Sequence, residues 1–133
     1  MSFIKKPATW LVITILYSGF TFWLSSLPGR TASRFLFFRF KHADWVAHGA
    51  EYALLACCLL GYLWATKALR RWWWTLGIPI VVAGLIGAAN ELYQIHVLER
   101  SATVSDGVAN IIGATMPVMV CLISRCFRSK RRE

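Results

Sequence analysis

Four stretches of the chain are apolar over a length that few folds can use. An α-helix needs about 20 residues to cross the hydrocarbon of a bilayer. Residues 8–27, 44–65, 72–97 and 103–124 each reach that length with few charges inside. The first is closed by Pro28-Gly29 and the others are separated by short polar connections. The sequence therefore predicts an all-α integral membrane bundle of four transmembrane helices. It forms one domain over 1–133, with no internal repeat, no low-complexity segment and no room for a separate soluble domain. Composition agrees: 57% of residues are hydrophobic and 16% charged, where a soluble domain carries about a quarter charged residues.

The net charge of +9 would suit nucleic acid if it lay on one polar surface. Here the cations sit in short clusters beside apolar spans, so orientation and contact with anionic lipid head groups explain them better, and no nucleic-acid partner is expected. Lys5, Lys6, Lys67, Arg70, Arg71, Arg125, Arg128, Lys130, Arg131 and Arg132 fall on one side, ten in all, against Arg30, Arg34, Arg39, Lys41 and Arg100 on the other. The positive-inside rule then puts both termini in the cytoplasm. Trp10, Trp64 and Trp72-Trp73-Trp74 fall at cytoplasmic helix ends, Trp23 and Trp45 at outer ends. That is where an indole is apolar on its ring and wet at its N–H.

The start, Lys5-Lys6 and an apolar run, mimics a signal peptide. The run exceeds the usual ~7–15 residues of an h-region, and "SSLPGR" offers no A-x-A cleavage pattern, so a retained helix is expected. The outer segment "RTASRFLFFRFKHA" mixes cations with four phenylalanines and should lie along the membrane surface or cap the bundle. Cys57, Cys58, Cys121 and Cys126 show no C-x-x-C spacing and read as buried or lipid-facing thiols. Ala83, Gly84, Gly87 and Ala88 on the third helix, and Gly107, Gly113 and Ala114 on the fourth, offer small faces for close helix approach. Pro79 and Pro117 are expected to bend their helices. The final "RCFRSKRRE" reads as a basic tail.

The polar residues carry the functional signal. His48, Glu51 and Tyr52 share one face of the second helix by i,i+3 and i,i+4 spacing. Asn90, Glu91 and Gln94 lie near the outer end of the third helix, and Asp106 and Asn110 are i,i+4 near the outer start of the fourth. At about 1.5 Å per residue, three helices bring these groups to one depth, roughly 5–10 Å below the outer interface. Five of the six acids, Asp44, Glu51, Glu91, Glu99 and Asp106, fall on the outer side. Ionisable groups in a membrane helix cost several kcal/mol unless paired or hydrated, so they face a bundle interior or a wet cavity. Ser101, Thr103 and Ser105 are candidate caps of the fourth helix. Beside its positive dipole end, Arg100 either completes an anion-binding corner or pairs with Asp106 or Glu91.

"SSLP" at 25–28, "DWVAHGAEYALLA" at 44–56, and "NELYQ" at 90–94 followed by Arg100, Ser105-Asp106, Asn110 and Gly113 form a spaced pattern. On this pattern the chain resembles the VanZ-like family of small membrane proteins associated with teicoplanin resistance. The resemblance carries the family's polar signature onto Asp44, His48, Tyr52, Glu91, Gln94, Arg100, Asp106 and Asn110. It departs at Asn90, where the family often has an acid, at Trp45, where it often has Lys, and at Leu98-Glu99, where it often has Pro-Gly. The resemblance implies a bacterial cytoplasmic-membrane protein with a cell-envelope role. It supplies no reaction.

Two classes of function follow. In one, the outer polar site binds an anionic or lipid-linked envelope component, through Asp44, Tyr52, Gln94, Arg100 and Asn110, and so affects glycopeptide access. In the other, an intramembrane transferase or hydrolase uses His48 as base with Glu51, Glu91 or Asp106 as catalytic partners. No G-x-S-x-G, H-E-x-x-H or P-loop supports a nucleophile or cofactor. His48, Glu51, Glu91 and Asp106, with His96 nearby, have no fixed ligand spacing, so the sequence assigns no metal and no cofactor. A small transporter subunit would need its cluster at midplane, an objection that assembly into a homo-oligomer would repair. A purely structural network of buried hydrogen bonds is the remaining alternative.

Overall fold

The computed structural model describes residues 3–31 and 43–130; the outer segment expected to lie along the membrane falls almost wholly outside them. Four long helices form: α1 (Pro7–Ser26), α2 (Ala43–Ala65), α3 (Trp72–Gln94) and α4 (Val104–Lys130). Single 3-10 turns at Phe3–Lys5 and Ala68–Arg70 precede α1 and α3. All four long helices are long and apolar enough to cross a membrane, which makes the chain a multi-pass membrane protein. The expected spans match, with two differences at their ends. α3 stops at Gln94 rather than 97, because the chain turns there through Val97 N–H to the Gln94 carbonyl and reaches a left-handed Glu99 (φ 60°). α4 runs on through the basic segment to Lys130, so residues 125–130 are helix and not a tail.

Local chemistry explains the boundaries. Proline at N1 starts α1, where its missing N–H costs nothing. At the other end Pro28 forces the preceding residue out of helical geometry, and Leu27 is extended (φ −75°, ψ 134°). Both Pro79 and Pro117 lie inside helices that continue through them.

The helices alternate in direction, so that α1 and α3 finish where α2 and α4 begin; this is called the site end below. α2 and α4 make the most extensive contact, through a close approach of glycines: a Cβ on Gly113 would strike the Gly49 backbone. Toward the far end, a Cβ on Gly61 would enter the Trp10 ring. Of the small residues expected to mediate packing, Ala83, Gly87, Gly113 and Ala114 are buried, while Gly84 and Gly107 meet nothing and Ala88 is exposed.

Burial is inverted relative to a soluble bundle. Ile15, Leu16, Leu85 and Val120 face outward, more than 60% exposed, while Thr14, Thr21, Ser25, Asn90, Gln94 and Asn110 are inside with Tyr52, Leu55, Ala56 and Leu59. With lipid as solvent, apolar faces need no cover, and polar side chains are what the interior must accommodate. All four cysteines are free, Cys57 and Cys126 on the outward surface.

Candidate functional site

α2, α3 and α4 each deliver a chemically active side chain to one point at the site end. His48 Nδ1 lies 3.7 Å from Glu91 Oε1, with both side chains almost covered (12% and 11% exposed). Asp106 completes a group whose ligating atoms all lie within 4.8 Å of one another. The expectation of convergence at one depth thus becomes a contact between residues far apart in sequence. His48 meets Glu91 across the helix interface, with its own i+3 neighbour Glu51 farther off but still near enough to feel its charge. Residues one turn apart stand side by side on a helix, whereas a facing helix points its side chain inward. Glu51 is half-buried beside the group, and its backbone carbonyl accepts a hydrogen bond from Tyr17 Oη at 3.1 Å.

Asp106 is held from behind. Thr103 is the N-cap of α4: its hydroxyl accepts from the Asp106 N–H at 3.2 Å and donates to Asp106 Oδ2 at 2.6 Å. This is the N-cap half of a capping box, with the Asp106 carboxylate held by the Thr103 hydroxyl, and it places a negative charge on the positive end of the helix dipole. One of the three proposed caps, Thr103, is therefore the one used.

A polar layer adjoins this group. Asn90 Nδ2 donates to Tyr52 Oη at 2.8 Å and to Thr21 Oγ1 at 3.4 Å, and Gln94 Nε2 donates to Ser25 Oγ at 3.1 Å. Thr21 and Ser25 were not among the residues expected at the site. Their signal was present: Thr14, Ser18, Thr21 and Ser25 repeat at intervals of four, three and four on an otherwise apolar helix, which marks one face. Asn110 is 2% exposed and stands beside Glu91 without reaching hydrogen-bond geometry. It fits there because Gly87 has no side chain; a Cβ would come within 3.0 Å of Asn110 Nδ2.

The remaining expected residues are elsewhere. Arg100 makes its hydrogen bonds to α1, while its charge still reaches Glu91. Its Nε and Nη2 each donate at 3.2 Å, to the Leu27 and Leu24 carbonyls, so it closes the C-terminus of α1 where helical carbonyls lack partners. No ion pair joins it to Asp106 or Glu91 among the described residues. Asp44 is exposed in the first turn of α2, outside the group. His96 is exposed and bonds to the Leu92 carbonyl at 3.2 Å.

What distinguishes the site is its unmet hydrogen bonding. Among the described residues, every buried side-chain polar atom without a partner belongs to His48, Asn90, Glu91 or Asn110. They are four acceptors (both Glu91 oxygens, Asn90 Oδ1 and Asn110 Oδ1), one donor (Asn110 Nδ2) and His48 Nδ1, which takes either role. Leaving each unsatisfied costs about 1–3 kcal/mol. Together they form a cluster chemically able to accept hydrogen bonds or positive charge. A scan against protein-family models and searches of curated proteins and solved structures return no match, so the site's chemistry is read from its own side chains.

Proposed function

We propose that this chain is a VanZ-like cell-envelope protein whose site end lies at the extracytoplasmic face and receives the head group of a membrane lipid or lipid-linked envelope component. The observation that carries the reading is the set of buried, partnerless acceptors on α2, α3 and α4. A head group rich in hydroxyl or amine donors satisfies Asn90 Oδ1, Asn110 Oδ1 and the Glu91 carboxylate, while its acyl chains lie along the apolar outer faces of the bundle. Orientation with both termini in the cytoplasm follows from the charge bias.

Native mass spectrometry of gently released protein tests this, with wild type beside Glu91→Gln at matched abundance. The wild type should retain a lipid whose occupancy falls several-fold in the variant; equal occupancy in both would end the head-group reading. Teicoplanin susceptibility of cells expressing the two forms is the phenotype in which to look for the same difference.

One observation favours an intramembrane transferase or hydrolase as the second reading. The His48–Glu91 pair beside Asp106 has the components of an acid–base site. Turnover of the retained lipid, with a pH dependence lost in His48→Gln, would move the assignment from binding to catalysis.

A further inference from the structure

The head-group reading leaves one feature of the site unexplained. Buried Glu91 and half-buried Asp106 bring two carboxylates from different helices to within 4.8 Å at one end of a membrane bundle. Their mutual repulsion is large where water is scarce. Among the described residues no lysine or arginine lies within ion-pair distance of either. The basic group nearest them is His48, at 3.7 Å from Glu91, with the Arg100 guanidinium farther off. Neither Glu91 oxygen nor His48 Nδ1 has any hydrogen-bond partner. A hydrogen-bonded structural network would look different, because its members would satisfy one another.

We propose that His48, Glu91 and Asp106 bind a divalent transition-metal ion. One imidazole nitrogen and two carboxylates form a mixed nitrogen–oxygen donor set of the kind that zinc, manganese and ferrous iron accept. The two carboxylate charges balance a 2+ ion. An ion about 2.0–2.2 Å from each ligand in a tetrahedral site holds its ligands about 3.4 Å apart. Atoms already within 4.8 Å reach that spacing by side-chain rotation.

The surroundings have the features of a ligand shell. Thr103 fixes one Asp106 oxygen at 2.6 Å and leaves Asp106 a second. Asn110, 2% exposed with both amide atoms unpartnered, stands against Glu91. Such outer groups orient metal ligands and hold their charge. Three protein ligands leave at least one position open. An anionic oxygen of a head group suits it. The ion itself stands on the three side chains and does not depend on the head-group reading; only this last ligand does.

The test uses full-length protein without a histidine tag, in phosphatidylcholine nanodiscs, stripped with EDTA and dialysed against micromolar Zn2+. Elemental analysis should give about one zinc per chain, and Co2+ in its place should give visible d–d absorption that Zn2+ displaces. His48→Gln, Glu91→Gln and Asp106→Asn should each weaken binding at least tenfold, with His96→Gln unchanged. No zinc retained by the wild type, or retention unaffected in the three variants, overturns the proposal. Should a variant fail to fold, the cobalt spectrum of the wild type decides alone: bands of oxygen and nitrogen ligation uphold the site, and a spectrum of free aqueous cobalt rejects it. Zinc bound in these discs with no lipid selectivity would refute the head-group reading and leave the ion. Lipid retained by the EDTA-stripped protein that binds no zinc would do the reverse.

Discussion

At the far end of the bundle, the Trp10 ring lies against Gly61, Leu63 is buried, and Trp10 Nε1 donates to the Ile4 carbonyl at 2.8 Å. Thr66 bonds back to the Tyr62 carbonyl, and buried Thr75 accepts from Arg125 at 3.2 Å. Each of these polar groups has a partner close by. At the site end the same four helices bury Asn90, Glu91 and Asn110 with acceptors left unmet. Both ends have the same solvent and are threaded by the same helices, so the difference is not a property of the fold. It marks where hydrogen bonding has been left incomplete, since each partnerless group costs about 1–3 kcal/mol that an apolar residue would not.

The comparison can be broken from either side. The largest effect is expected from Gly113→Leu, which drives a side chain into the Gly49 backbone. Overpacking against a main chain that cannot rotate away should cost about 3 kcal/mol or more, seen as loss of monodisperse protein on size-exclusion chromatography. A variant of normal yield and melting temperature would mean that α2 and α4 do not approach as described. Leu63→Ala at the far end should cost about 1–2 kcal/mol. The transfer component of a core truncation vanishes when the alternative environment is lipid, and only the cavity component remains. Its melting temperature should fall with head-group retention intact.

At the site end the signs should separate. Arg100→Lys loses the fork that reaches two carbonyls of α1, for about 1 kcal/mol, and should melt earlier while keeping its ligand. If it lost ligand at unchanged melting temperature, Arg100 would return to the binding role assigned from sequence. Glu91→Gln removes a buried charge without changing shape, and should leave stability level or raised in ligand-free protein. A drop comparable to that of Leu63→Ala would instead make Glu91 part of a structural network. The smallest change is expected from Glu99→Gly. It loses an exposed pair with Arg30 (3.0 Å) but relieves a left-handed backbone at φ 60°. The two nearly cancel, to about 0.5 kcal/mol or less, checked by thermal melting.

Much of this was legible beforehand, because a bilayer reads sequence along one axis. Span length and flanking cations position each helix in depth, so the four spans and the shared level of His48, Glu91, Asp106 and Asn110 follow from residue counting. The cap of α4 is local and was narrowed to Ser101, Thr103 or Ser105, of which the structure uses Thr103. The role of Arg100 was not legible, because its partners are carbonyls, present at every residue and invisible in side-chain patterns. The polar face of α1 was written at 14, 18, 21 and 25 but was masked by the apolar residues around it.

The sequence by itself determined that this chain forms four apolar helices with chemistry gathered at one end. Which of those side chains meet was decided by tertiary structure. With lipid outside and apolar side chains inside, hydrophobicity says little about how a membrane helix is rotated about its axis. That rotation is set by close contacts, Gly49 on Gly113 and Gly61 on Trp10, and only once it is set does His48 come to face Glu91.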